Sequence, residues 1–355
     1  MEAFSNWFWN DWFWFPEGNT FNDTRCNDGV IYARPIDLYA LPLFGIGLRL
    51  LRYPYERYIA VPLAKWLHNV PADGKHETNG QVCQVHNGTN DLPKARANGH
   101  HATGIPRRRT EKIARKTEVA ILKFTETSWK CLLHTFLFTF GICILSQSSW
   151  LLDNKQSVIG YPKHELWLSL YFLYMLEGAY YISLLMTIAT DVKRKDWTME
   201  LIHHVAAICL ISFSYATNQT RIGSLLMTLH RVADMLLQIT KLLLYANHKT
   251  MANCMFVFFV LVFLFTRLYV YPFHVLYTAI VTWSAYIAPC PWWILGNGIA
   301  LGLQVLHVLW AIIILKMAFK LRKGPLNRDD RSDTEDEVED SPSKPHMNGK
   351  TKKTD

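Results

Sequence analysis

Residues 199–210 read MELIHHVAAICL, with two adjacent imidazoles, His203 and His204, at the head of an apolar run. Further on, residues 225–245 read LLMTLHRVADMLLQITKLLLY and carry His230, Arg231, Asp234, Gln238 and Lys241. Positions 230, 234, 238 and 241 are spaced by four, four and three, which sets them along one stripe of a helix. A neutral imidazole can take a proton or attack a carbonyl. A carboxylate bonded to its other nitrogen, here Asp234, would fix the tautomer and stabilise the imidazolium. This is the base and orienter of acyl transfer without the serine, and no GxSxG or Gly-rich phosphate loop occurs. Metal binding fits poorly. Helix neighbours point about 100° apart, so His203 and His204 cannot easily share an ion, and HExxH and multiple His boxes are missing. Plainer roles exist for some of these groups. Glu200 suits the positive end of its helix dipole, and Lys241 can snorkel to the surface. A lone buried histidine is ordinarily a satisfied core residue, but an adjacent pair facing a His-x-x-x-Asp stripe exceeds that description.

The elements that hold these residues are membrane spans. Half of the 355 residues are hydrophobic, and stretches of about 20 nearly uncharged residues recur from Lys130 onward, matching a hydrocarbon core of about 30 Å. The pattern predicts an all-α polytopic membrane protein with about seven spans, near 36–54, 131–151, 165–187, 198–217, 221–245, 251–275 and 292–317. A two-residue turn makes the fourth and fifth spans antiparallel neighbours, so the polar stripe faces the histidine pair. Basic segments lie at RRRTEKIARK (107–116), DVKRKDW (191–197) and Lys316, Lys320, Arg322 and Lys323, whereas 152–164 and 276–291 are nearly or wholly free of Lys and Arg. The positive-inside rule then predicts a lumenal N-terminus and a cytosolic C-terminus, and assigns the net charge of +8 to topology, not nucleic acid.

The opening NWFWNDWFWFPEG lacks a basic n-region and is predicted to lie on the lumenal bilayer surface as part of segment 1–35. Asn22 heads a lumenal glycosylation sequon, Asn87 would fall on the wrong side, and Asn218 sits in a very short lumenal turn. Only Cys26 and Cys290 among seven cysteines fall on the lumenal side, and whether they pair is left open. Residues 69–106 lack hydrophobic periodicity and are expected to be a flexible cytosolic linker within segment 68–124. The acidic tail, 324–355, contains DDRSDTEDEVED, in which Ser332 and Thr334 fit acidophilic kinases, and ends in KKTD, a dilysine-like signal for return to the endoplasmic reticulum.

TDVKRKDWTMELIHHVAAICLISFSYATNQTRIGSLLMTLHRVADMLLQITKLLLYA, followed by FLFTRLYVYPF, resembles the ceramide synthases, the acyl-CoA:sphingoid-base N-acyltransferases of the endoplasmic reticulum. The likeness covers about 125–323, the TLC domain, and extends more weakly to YERYIAVPLAKWL within 36–67, to the Trp-rich start and to the DDRSD tail. It implies a six-helix TLC bundle plus one N-terminal span. It further implies acyl-CoA as co-substrate with no bound cofactor, a sphingoid base and membrane lipids as partners, and compatibility with a homo- or hetero-dimer. Carried over, the catalytic centre is His203, His204 and Asp234. Lys193, Arg194, Lys195, His230, Arg231, Gln238, Lys241 and Arg267 are substrate-binding candidates. The family's chain-length loop maps to Thr278–Pro291, with Trp283 and Tyr286 inside it.

Two departures stand out. The family run HDxSD followed by Glu reads His230-Arg231-Val232-Ala233-Asp234 with Gln238 here, so one acid becomes a base and another an amide. The homeodomain-like segment of many animal members is not recognisable in 68–106, and RRRTEKIARK reads as a membrane-surface run, not a DNA reader. Two rival readings exist. A non-catalytic TLC-type lipid-binding, trafficking or translocon-associated protein would explain the departures but not the retained His-His-to-Asp pattern. A seven-pass receptor would explain the topology alone.

Overall fold

The computed structural model describes residues 9–25, 29–68, 75–78, 81–84, 107–188, 191 and 196–321. Helix α1 (Ala40–Tyr55) runs through a π-helical turn, Glu56–Ala60, into α2 (Val61–Leu67). A short hairpin follows, β1 (Lys75–Thr78) antiparallel to β2 (Gln81–Gln84), inside the linker where no regular structure was expected. Then come α3 (Arg107–Ser146), α4 (Leu168–Thr187), α5 (Trp197–Ala216), α6 (Thr220–Tyr245), α7 (Lys249–Tyr286) and α8 (Pro291–Leu321). Five helices are long and apolar enough to cross a membrane among the described residues: α3 from Thr117, α4, α5, α7 and α8. Helix α6 has the length, 26 residues, but carries Arg221, Arg231, Asp234 and Lys241.

Three expectations are corrected. RRRTEKIARK is not a loop but the first turns of α3, whose 40 residues span about 60 Å, twice the thickness of a hydrocarbon core. The loop expected at 276–291 is helix as far as Tyr286, which leaves only 287–290 as a link. Pro272 lacks an N–H and would break an ordinary helix. Here it sits inside a π-helical stretch, Phe265–Leu276, whose wider turns absorb it, and α7 continues. The Trp-rich start does not merely lie on the bilayer. Trp14 and Phe15 are buried, and the Trp14 ring packs 5.2 Å from Phe213 and 6.1 Å from Trp292, closing the end of the bundle.

With lipid outside, helix association rests on close packing, not on hydrophobic burial. Helices α1 and α4 meet through Gly45 and Gly178, where an added Cβ would lie 2.9 Å from Ile182 and 2.8 Å from Leu41. Helix α6 is the central element, packed on α3, α4, α5 and α7. Large apolar side chains such as Phe258, Leu261, Phe265 and Val305 point outward and are exposed, as a lipid-facing surface requires. The α5–α6 turn is held by Asn218, with φ 56°, whose buried Nδ2 donates to Pro162 O (2.6 Å) and His164 O (2.8 Å). That sequon asparagine is consumed in the fold.

Candidate active site

Helices α3 to α8 enclose a polar cavity with about 130 Å³ open to the centre of a water molecule. Helix α5 delivers His203 and His204 to it from successive positions, and their rings stand 6.0 Å apart. Tyr181 of α4 packs against both, at 6.0 and 5.7 Å. His203 stacks on His230 of α6 at 6.3 Å and meets Trp310 of α8 edge-on at 5.4 Å. Trp310 in turn donates from Nε1 to Asp196 Oδ2 (3.1 Å), fixing α8 to the head of α5. The Nδ1 atoms of His203 and His204 are buried without a hydrogen-bond partner.

Asp234 lines the same cavity but does not orient a histidine of the pair. Its Oδ1 accepts from Arg267 Nη2 at 3.1 Å, and the same nitrogen donates to His230 O at 2.7 Å. The expected Asp234–His203 bond is therefore replaced by a carboxylate–guanidinium pair. The reason lies in α7: Arg267 falls in the π-helical stretch beside α6, where it reaches the stripe first. Arg267 is buried, and its Nε and Nη1 have no partner, so two donor nitrogens of a cavity-lining cation, with three N–H groups between them, remain uncommitted.

Arg231, the base that stands where the resemblance leads one to expect an acid, is also neutralised. Glu177 of α4 accepts from its Nε at 2.9 Å on both carboxylate oxygens and from its Nη2, and both side chains are only 1% exposed. Arg231 Nη1 lies 3.1 Å from His134 Nδ1, His134 Nε2 lies 3.0 Å from Tyr180 Oη, and the guanidinium sits over the rings of Tyr180 (4.6 Å) and Tyr181 (4.9 Å). Glu177, His134, Tyr180 and Tyr181 were not singled out from the sequence. One signal existed: Glu177 is the tenth of the 20 residues of α4 and Arg231 the twelfth of the 26 of α6, opposite charges at matching mid-helix positions. At one end of the cavity Lys130 pairs with Glu126 (2.5 Å) and Asp191 (3.4 Å), and Arg52 pairs with Glu56 (2.6 Å) and Asp191 (3.3 Å). This network pins the first residue of the DVKRKD segment.

The TLC-domain family model matches residues 123–316, a range that contains every residue lining the polar cavity, from Lys130 to Ile314. The chain is 33% identical to human ceramide synthase 4 over 359 residues, covering 95% of this chain and 88% of that relative. It is 34% identical to human ceramide synthase 5, covering 94% and 88%, and 31% identical to ceramide synthase hyl-1 of Caenorhabditis elegans, covering 93% and 84%. The chain belongs to the ceramide synthase family of TLC-domain proteins.

The remaining candidates fall in different places around this cavity. His230 and Lys241 are buried, and Gln238 is buried with Oε1 unpartnered at the cavity wall. Thr278 is buried and its hydroxyl bonds its own helix at His274 O (2.6 Å). Trp283 is buried with its ring 4.6 Å from Tyr161, Tyr286 is exposed, and Pro291 opens α8. Asn22 is exposed on the turn Phe21–Thr24, whereas Thr24 of its sequon is buried. Cys290 is buried with Sγ 3.7 Å from Trp14 O. Lys193, Arg194, Lys195, Cys26, Ser332, Thr334 and the KKTD end lie outside the described residues. Among the described residues no cluster of three or more His, Cys, Asp or Glu is arranged to hold a metal ion.

Proposed function

We infer that the protein transfers a fatty acyl group from acyl-CoA to the amine of a sphingoid base and so forms ceramide or dihydroceramide. The observation that carries this reading is the meeting of His203, His204 and an Arg267 with two free donor nitrogens in one cavity of a ceramide synthase family bundle. The amine attacks the thioester carbonyl and His203 takes the proton that the amine loses. The oxyanion that develops is met by the free N–H groups of Arg267, which Asp234 holds in place. Collapse breaks the C–S bond, and the leaving thiolate takes the proton back from His203, giving amide and free CoA. If His203 instead accepts the acyl group, the thiolate leaves first and the amine then displaces the imidazole. Labelled acyl-CoA that leaves label on the protein would distinguish this route. A positioned base contributes about 10²–10⁴ in rate, and a dry bundle protects the thioester. His204, beside Tyr181, positions the substrate.

In this reading all seven expected spans cross, α1 and α6 included, with the N-terminus lumenal and the C-terminus in the cytosol of an endoplasmic reticulum membrane. Lys193, Arg194, Lys195 and Lys241 receive the CoA phosphates at the cytosolic end. The acyl tail runs from His203 toward the lumenal end, and Thr278, Trp283, Tyr286 and Pro291 stand along that end. Asn22 is the glycan acceptor, Ser332 and Thr334 are phosphorylation sites, and a homo- or hetero-dimer is the assembled form. The altered residue at Arg231 does not favour a non-enzymatic role, because Glu177 absorbs its charge.

The test is N-acylation of sphinganine by the purified protein with a panel of acyl-CoAs, beside His203→Ala and Asp234→Asn. Product that vanishes in both folded variants supports the reading. Undiminished product from His203→Ala removes the histidine from the mechanism.

A further inference from the structure

A second cavity, apolar and with about 80 Å³ open to the centre of a water molecule, lies between α4, α5, α6, α7 and α8, five of the six helices that enclose the polar one. Each helix contributes to both spaces in order. Helix α5 gives His204 to the polar cavity and Leu210 to the apolar one, α6 gives Arg231 and Met227, α7 gives Arg267 and Tyr271, and α8 gives His307 and Ala300. The two cavities share no lining residue. They lie end to end along the bundle, parted by a layer of four to seven residues per helix, about 6–10 Å thick.

That layer is built from Tyr271, His230 and His307. The Tyr271 ring is fully buried, packs edge-on at 5.4 Å from His230 and 4.9 Å from His307, and donates its hydroxyl proton to Ala300 O at 2.7 Å. The two imidazoles approach Nε2 to Nε2 at 3.2 Å and complete the partition. His203, stacked on His230, stands directly on its polar side.

We propose that the Tyr271 ring is a gate across the acyl path and sets how the protein discriminates between short and long acyl chains. The inference rests on the reading that the acyl tail runs from His203 toward the lumenal end. A short tail ends before the layer. A long tail enters the apolar cavity only by turning the Tyr271 ring aside, breaking its bond to Ala300 and parting it from two imidazoles. The cost falls on long tails alone, so it appears in the ratio of kcat/KM for long over short acyl-CoA and leaves the chemistry at His203 untouched.

The experiment measures that ratio for stearoyl-CoA over octanoyl-CoA, with sphinganine and the full-length protein in detergent. Tyr271→Leu joins the two cavities and raises the ratio about tenfold or more, a step of the size that one or two methylenes make in an apolar pocket. Tyr271→Phe keeps the ring but frees it from Ala300, and raises the ratio about two- to tenfold, the worth of one hydrogen bond. This conservative variant carries the test if Tyr271→Leu does not fold. Ala279→Trp fills the apolar cavity and lowers the ratio. A ratio that falls in Ala279→Trp but stays at the wild-type value in both Tyr271 variants overturns the gate and leaves the tail path standing. A ratio unmoved in all three overturns the gate together with that path. Wild-type protein that fails to acylate sphinganine with either acyl-CoA overturns the activity itself, and the gate with it.

Discussion

Glu177→Gln is expected to be the most destabilising conservative change in the bundle. The carboxylate it neutralises receives three guanidinium contacts from Arg231, and neither side chain is more than 1% exposed. An amide fills the same volume and still accepts one hydrogen bond, so packing is preserved and charge is lost. Arg231 then keeps a buried cation whose remaining neighbours are His134 and the faces of Tyr180 and Tyr181. Breaking a buried pair by removing one partner costs about 3–5 kcal/mol, because the other charge is left uncompensated. At about 2–4 °C per kcal/mol for a unit of 150–250 residues, the detergent-solubilised protein should lose roughly 6–20 °C in its thermal unfolding midpoint.

The double variant Glu177→Leu with Arg231→Met distinguishes charge from shape. It removes both ions, and replacement of a buried pair by apolar residues of similar volume is often neutral or stabilising. The midpoint should therefore return to within a few degrees of wild type, while Arg231→Met alone leaves a buried carboxylate and melts early. A Glu177→Gln protein as stable as wild type would refute the pairing as an energetic necessity. A double variant worse than both single variants would show that geometry, not charge balance, was the requirement.

Three further outcomes can be checked on the same preparations. Arg267→Lys keeps a charge near Asp234 but loses the fork that binds Asp234 and His230 O while aiming free donors at the cavity; kcat should fall about 10²–10³-fold, the worth of an oxyanion donor, with elution and melting unchanged, and a loss under threefold would remove Arg267 from that role. Burial holds His164, in the segment before α4, down from the ordinary imidazole value of 6.5 to about 4; its Nε2 donates to Ile159 O and its Nδ1 has no acceptor for a second proton. The unfolded chain binds that proton first, so stability is full above about pH 6.5 and drains by about 3 kcal/mol as pH falls toward 4. His164→Phe should flatten the melting midpoint across that window, and an unchanged slope would refute the assignment. Trp14→Ala empties a site between Phe213 and Trp292 and should cost about 3–5 kcal/mol, whereas an unaltered midpoint would detach the N-terminal segment from the bundle.

Periodicity and hydropathy located α4, α5 and α8 to within a few residues, because a lipid-facing helix must be apolar along its whole length whatever it packs against, and α6 followed from its amphipathic stripe. The same logic placed His203 and His204 opposite the His230–Asp234 stripe, since a short turn leaves two helices no other relation. It failed where the answer depends on a third helix. Asp234 had a histidine pair across from it on the neighbouring span, and only the π-helical stretch of α7 brings Arg267, a residue inside the expected span 251–275, close enough to take the carboxylate. Arg231 read as a lost acid for the same reason, because its counter-ion comes from α4, more than 50 residues away and flanked by apolar neighbours in LEGAYY. A charge in the middle of a span is therefore better read as a demand for a partner at equal depth than as a defect at its own position. By that rule, Glu177 and Arg231 identify each other from helix position alone, and Asp234 and Arg267 remain the pair that only the tertiary structure could match.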